Sequence, residues 1–200
     1  MNKINYDAAM QSEIAKLGSV KKLLLHSCCA PCSSYCISAL TPYFDITVFY
    51  YNPNIDTEKE YELRKNEEKR FVSEYKAGNK LSFVETGYCP EDFSKVAAGR
   101  EKLPEGGERC FLCYRLRLAR AAEYAAENGF DYFATTLTVS PLKNAEKING
   151  IGFELSEKFK VAYLASDFKK RGGYLKSIEM SKEYNLYRQN YCGCVYGKKS

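Results

Sequence analysis

The chain has 200 residues, 45% of them hydrophobic and 28% charged, and a formal net charge of +5. This composition provides for one sizeable core under a charged surface and excludes a disordered chain, while the mild positive charge suits an anionic partner without requiring one. No apolar run is long enough to cross a bilayer, and the amino terminus lacks the basic start, apolar stretch and cleavage site of an export signal, so a cytoplasmic protein is expected.

Residues 4–17 predict a first helix, and the apolar run 21–27 after Gly18 and Ser19 predicts a first strand. Cys28-Cys29-Ala30-Pro31-Cys32-Ser33-Ser34 follows at once, with Pro31 placed for the first turn of a helix through Cys36 to Leu40. A second strand, 46–51, ends in Asn52-Pro53-Asn54, after which Asp56 or Thr57 caps a long charged helix to about residue 75. A third strand is predicted at 81–86 and a helix at 90–98. The glycine- and charge-rich stretch 99–108 reads as a loop that delivers Cys110-Phe111-Leu112-Cys113-Tyr114 to the start of a helix ended by Gly129. A fourth strand (131–137), a helix (144–159) and a fifth strand (161–164) follow. The basic run Lys169-Lys170-Arg171 then precedes a helix at about 174–184 and the closing Tyr191-Cys192-Gly193-Cys194. Short strands alternating with helices predict an α/β fold with a mostly parallel sheet flanked by helices, whose ligands bind beyond the carboxyl ends of the strands. Residues 1–200 read as a single α/β domain, with the basic, cysteine-containing segment 166–200 packed on it over the site.

Nine cysteines are present, an odd number and too closely spaced for a disulfide framework; in a reducing compartment such clusters bind metal or do redox work. Cys29 and Cys32 have the C-x-x-C spacing, Cys110 and Cys113 repeat it, and Cys192 and Cys194 share a side if the backbone there is extended. Cys28 and Cys29 can serve one centre only across a tight turn, or can serve two adjacent centres. Together these seven exceed the four thiolates of a tetrahedral zinc site or a simple four-iron cluster. The surplus implies either a redox pair or a cluster beside a second metal held by the remaining thiolates and a carboxylate. From the residues alone, iron–sulfur, zinc and thiol–disulfide chemistry all stay open. The helix beginning near Cys113 places N–H groups near anionic sulfur. Cys36 reads as a small buried hydrophobe, Cys89 stands alone, and His26 reads as a packed ring in a strand.

Five segments taken together, His26-Ser27-Cys28-Cys29-Ala30-Pro31-Cys32, Glu108-Arg109-Cys110-Phe111-Leu112-Cys113-Tyr114-Arg115-Leu116-Arg117-Leu118, Thr135-Thr136-Leu137-Thr138-Val139-Ser140-Pro141-Leu142-Lys143, Ser166-Asp167-Phe168-Lys169-Lys170 and Tyr187-Arg188-Gln189-Asn190-Tyr191-Cys192-Gly193-Cys194, resemble the QueH-type epoxyqueuosine reductases. The resemblance implies a cobalamin-independent enzyme that reductively removes the epoxide oxygen of epoxyqueuosine at the tRNA wobble position, on an adenine-nucleotide-hydrolase-like (HUP/PP-loop-like) sheet. It also implies a four-iron, four-sulfur (4Fe-4S) cluster with an adjacent mononuclear iron. Cys28, Cys29, Cys110, Cys113, Cys192 and Cys194 are the expected cluster ligands, and Cys32 and Asp167 are further candidate metal ligands. The family varies between cysteine and aspartate at the position of Cys32.

Removing the oxygen to leave an alkene takes two electrons and two protons. Asp167, Tyr114 and Tyr191 are the candidate proton donors, and Lys143 and Lys169 can steady developing negative charge. No nicotinamide or flavin motif is present, so an external ferredoxin- or flavodoxin-like electron donor is expected. The expected substrate is a tRNA anticodon stem-loop, with Arg115, Arg117, Arg120, Lys169, Lys170, Arg171, Lys176, Lys182 and Arg188 available to its phosphates. A G-x-x-x-x-G-K-S/T loop is missing, so ATP use is not indicated. The competing readings are a zinc-binding RNA-interaction protein, a thiol–disulfide oxidoreductase and a tRNA sulfur transferase.

Overall fold

In strand β1 (Lys21–His26), Leu23, Leu24 and Leu25 are all fully buried in the computed structural model, which describes residues 4–197. An unbroken apolar run suits a central strand covered on both faces. On one side β1 pairs with β2 (Phe44–Tyr50), which pairs with β3 (Leu81–Glu85); on the other it pairs with β4 (Tyr132–Thr135), which pairs with β5 (Ala162–Tyr163). All pairings are parallel, in the order β3-β2-β1-β4-β5. Leu25 lies opposite Val48 on one neighbour and Ala134 on the other.

Alternation along the strands sorts the core into two layers. Leu24, Phe49 and Phe133 pack with Leu118, Ala121 and Ala125 of α5 (Glu108–Glu127) and with Ile148 and Leu155 of α6 (Ala145–Phe159). Leu23, Leu25 and Val48 pack instead with Met10 and Ile14 of α1 (Tyr6–Ala15), Ile37 and Leu40 of α2 (Ala30–Leu40), and Phe71 of α3 (Glu58–Glu74). Inside α6, Gly152 runs against the ring of Tyr163, where any side chain would collide with it.

The predicted element order holds, and the differences are local. The fourth strand stops at Thr135, because the Thr135 hydroxyl accepts the Leu137 N–H at 3.2 Å and turns the chain into a 3-10 segment, Thr136–Val139. The fifth strand is only Ala162–Tyr163, at the sheet edge.

After the sheet, α7 (Gly173–Glu183) leads into a tail that α3 holds. Arg70 donates to the Tyr184 carbonyl at 3.0 Å, Glu67 accepts the Tyr187 N–H at 2.7 Å, and the buried Arg64 donates to the Cys192 carbonyl at 3.4 Å. Asp56 N–H donates to the Gly193 carbonyl at 2.8 Å. Phe93 and Ala97 of α4 (Pro90–Ala97) pack against Cys113 and Cys194, tying the tail to α5. These contacts bring the tail to the carboxyl ends of β1 and β4, where the strand order reverses and an open α/β sheet leaves its crevice.

Candidate metal centre

The centre begins where β1 ends. Cys29 takes an extended conformation as the residue before α2, and its carbonyl accepts the N–H groups of Cys32 at 3.0 Å and Ser33 at 3.1 Å. That tight turn folds Cys28 and Cys32 onto one side, so the sulfurs of Cys28, Cys29 and Cys32 all lie within 4.8 Å of one another. Cys28 and Cys29 sulfurs are 3.8 Å apart, the separation that tetrahedral bonds of about 2.3 Å to a shared ion produce. The donor set therefore fits one thiophilic metal ion with a coordination position left open.

Hydrogen bonds from the Cys29 and Cys32 thiols, helped by the Lys143 and Arg117 cations, hold the Cys28 thiol well below its ordinary range despite burial. Donating to Cys28 pushes Cys29 up to about 12, and Cys32 moves up for the same reason. Sharing two hydrogen bonds with one sulfur, the metal-free group favours the Cys28 thiolate over its neighbours, and binding a cation expels the protons that remain. Gln189 Nε2 donates to Cys29 Sγ at 2.7 Å.

His26 is a structural ring. It is fully buried, and burial together with the nearby Arg117 lowers its pKa to about 3. The neutral ring donates from Nε2 to the Tyr51 carbonyl at 3.3 Å and accepts at Nδ1 from the Thr135 hydroxyl at 2.9 Å.

A cavity of about 500 Å³ opens beside the three-sulfur group, lined in part by Cys28, Cys32, Lys143, Arg188, Tyr191 and Cys192. Lys143 is the cavity cation that the thiols sustain: burial works against its charge, but the charges of Cys192, Cys28 and Cys32 more than compensate, and its pKa rises. Cys192 is itself lowered to about 5, first by a hydrogen bond from the Cys194 thiol and then by Lys143 and Arg117. Tyr114 is buried, and burial raises its hydroxyl pKa. Tyr191 packs under Arg64, whose guanidinium carbon is 5.0 Å from the ring centre.

Cys110 and Cys113 are one turn apart at the start of α5, and burial raises both thiols, Cys113 to about 11. Cys110 accepts the Gly106 N–H at 3.2 Å. Cys110, Cys113, Cys192 and Cys194 lie outside the three-sulfur group, as does Asp167, which pairs with Lys169 at 2.6 Å and lines a neighbouring cavity. The expectation of a 4Fe-4S cluster beside a mononuclear iron is corrected here. Among the described residues the metal-binding group is Cys28, Cys29 and Cys32 alone, which is consistent with a single iron site. Spacing showed that the chain holds three thiol groups; it did not show which sulfurs the fold draws within reach of one ion.

Two residues escaped the sequence reading. Arg117, grouped above with the phosphate-binding cations, is 1% exposed and donates to Asn52 Oδ1 at 2.5 Å, while Asn52 donates to the Ser27 carbonyl at 2.9 Å. Its spacing from Cys113, one helical turn, was the available signal. Gln189 stood inside the quoted tail motif, three residues before Cys192, with no role given to it. Several other expected phosphate ligands are paired within the chain: Arg115 with Glu154, Arg120 with Glu123, and Arg171 with Asp7.

The family model described as "Epoxyqueuosine reductase QueH" matches residues 23–200. A curated protein of that name from Streptococcus pyogenes is 46% identical over 98% of this chain and 79% of its own length. Its namesake from Staphylococcus epidermidis is 45% identical over 97% of the chain and 84% of its own length. The one from Thermotoga maritima is 36% identical over 87% and 88%. Among solved structures, the U34-tRNA thiolase NcsA from Methanococcus maripaludis, described with its 4Fe-4S cluster, shares the fold with a TM-score of 0.55 at 14% identity, covering 96% of this chain and 68% of that one. With its cysteine turn, its cavity and these relatives at hand, the chain belongs to the QueH family of epoxyqueuosine reductases.

Proposed function

We propose that this enzyme removes the epoxide oxygen of epoxyqueuosine at the wobble position of tRNA in the cavity beside Cys28, Cys29 and Cys32, giving queuosine. The observation that carries this reading is the three-sulfur group, two of whose members, Cys28 and Cys32, line a cavity together with Lys143, whose charge those two thiols help sustain. The reaction breaks both carbon–oxygen bonds of the epoxide, takes up two electrons and two protons, and releases water. Bound iron supplies Lewis acidity and one-electron chemistry at this position.

The chain's own residues do the rest. Lys143 offsets negative charge that develops on the departing oxygen. Tyr191, which lines the cavity, is the candidate proton donor, and Tyr114 is buried outside its lining. Gln189 fixes the orientation of Cys29 through its amide hydrogen bond. Asp167 holds Lys169 beside the neighbouring cavity. The two electrons come from an external ferredoxin- or flavodoxin-like donor.

We also read residues 1–200 as one adenine-nucleotide-hydrolase-like (HUP/PP-loop-like) domain working in the cytoplasm, with 166–200 packed on it as a cover for the site. The all-parallel order β3-β2-β1-β4-β5 and the fold likeness support this. Among the described residues no helix is long and apolar enough to cross a membrane.

The test is anaerobic turnover of a stem-loop carrying epoxyqueuosine by iron-loaded protein and a chemical reductant, with the nucleoside read by mass spectrometry. Loss of one oxygen is expected. Iron-loaded, folded protein that binds the stem-loop and leaves the oxygen in place overturns the reading. In the Asp167→Asn variant, retained iron with unchanged turnover would remove Asp167 from the chemistry.

A further inference from the structure

Beside the cavity of the cysteines lies a second one, of about 600 Å³, which the reaction as described does not use. The two share Pro141, Leu142 and Lys143, so this segment is the wall between them. Local bonds fix the wall. The Ser140 hydroxyl accepts the Leu142 N–H at 3.3 Å, the Ser140 carbonyl accepts the Lys143 N–H at 3.3 Å, and Asn144 caps α6 by accepting the Lys147 N–H at 3.0 Å. On top of it Leu142 is 77% exposed, the most exposed large aliphatic among the described residues. A large apolar side chain presented on a short, braced ridge between two cavities is the form of a wedge that separates stacked bases.

The second cavity has the chemistry of a nucleotide site. Lys170 and Lys169 supply cations at its rim, Lys169 held in place by Asp167 at 2.6 Å. Glu146 also lines it, so the net positive charge is small and points to a single phosphate rather than a run of them. Asn5 and Asn144 both use their side-chain oxygens to cap helices, which leaves their amide NH₂ groups as the donors for a base edge. Its volume lies in the ordinary range for a small-ligand pocket.

Resting on the reading that a tRNA nucleotide enters the cysteine cavity, we propose that the second cavity binds a nucleotide adjacent to the modified one, with Leu142 inserted between the two bases and Lys170 on the intervening phosphate. A base can reach the thiols only after leaving the stack, and its unstacked neighbour then needs a place of its own.

A stem-loop with a fluorescent adenine analogue, quenched by stacking, placed on either side of the modified position tests this with metal-loaded protein. Binding to wild type raises emission severalfold on one side, and Leu142→Ala abolishes most of that rise. Lys170→Ala raises KM for the stem-loop about tenfold with little change in kcat, and lowers the slope of log affinity against log salt by about one. Bound and reduced stem-loop with no emission change on either side overturns the subsite while the proposed reaction stands. A Lys170→Ala protein with unchanged KM and salt slope does the same. Bound stem-loop that is never reduced overturns the reaction itself.

Discussion

Replacing Arg117 with methionine separates a structural arginine from one that serves the thiols. Arg117 is buried at 1% exposure, donates to Asn52, and has its Nε without a hydrogen-bond partner among the described residues. Its charge is sustained against burial by Cys113, Cys28 and Cys192. In metal-free protein the exchange leaves Asn52 Oδ1 short of a donor, a cost of about 1–3 kcal/mol. Relief from burying a cation offsets this, and the thiols of Cys28 and Cys192 answer its loss by taking up protons rather than staying as unpaired buried anions. The net change in unfolding free energy of the apo protein is therefore small. When metal binds, the ion's own charge offsets the added thiolate charge, and what Arg117 supplies is position: through Asn52 it fixes the Ser27 carbonyl beside Cys28. Removing such an outer partner typically weakens metal affinity about 10–100-fold, or roughly 1.4–2.7 kcal/mol. Cobalt(II) titration, followed by its thiolate absorption and paired with urea unfolding of the apo protein, measures both quantities. Cobalt affinity within about threefold of wild type, together with an apo protein destabilised by about 3–5 kcal/mol, would show Arg117 to be a packing residue and refute the argument.

Cys32→Ser removes one of the three sulfurs, and the same titration should show metal affinity falling by about 100-fold or more. Cys36→Ala, which touches the fully buried core side of α2, costs about 1–2 kcal/mol in urea unfolding and leaves the affinity alone. Glu68 is fully buried, and burial pushes its pKa to about 8. The folded state then holds a proton that the unfolded chain, near 4.5, gives up. This contribution is complete below about pH 4.5 and is lost as pH rises through about 8. Glu68→Gln removes it, so relative to wild type the variant gains about 3 kcal/mol between pH 4.5 and 7; parallel stability curves across that window would refute the assignment.

Much of the fold is visible in the sequence because its decisive signals are local. Leu23-Leu24-Leu25 can only be a central strand once helical segments flank it, and the residues after it announce a turn by themselves. What stayed hidden depends on competition or on distance. The fourth strand ends two residues early because the Thr135 hydroxyl competes with the sheet for the Leu137 N–H, and no pattern of hydrophobicity registers that contest. The tail's route is set by Arg64, Glu67 and Arg70, three charges on a helix that reads as wholly solvated. Hence the sequence displays every thiol but not the subset that the fold brings together.

Charge at the centre shows why Arg117 was misread and where substrate phosphates must bind. A guanidinium belongs at the surface unless something in the interior needs it. Here that need is created by the depressed thiols Cys28 and Cys192, both of which respond to Lys143 and Arg117. Two anions facing two cations leave Lys143 and Arg117 no positive charge over for a nucleotide backbone. The phosphates of a bound RNA are therefore driven outward to cations that the thiols do not engage. Lys170, exposed at the rim of the second cavity, is such a cation. Arg115, Arg120 and Arg171, already paired with carboxylates, would each have to break an ion pair first. A charge-reversal scan should accordingly find tRNA affinity far more sensitive at Lys170 than at Arg115 or Arg120, although all three are surface cations and look alike in the sequence.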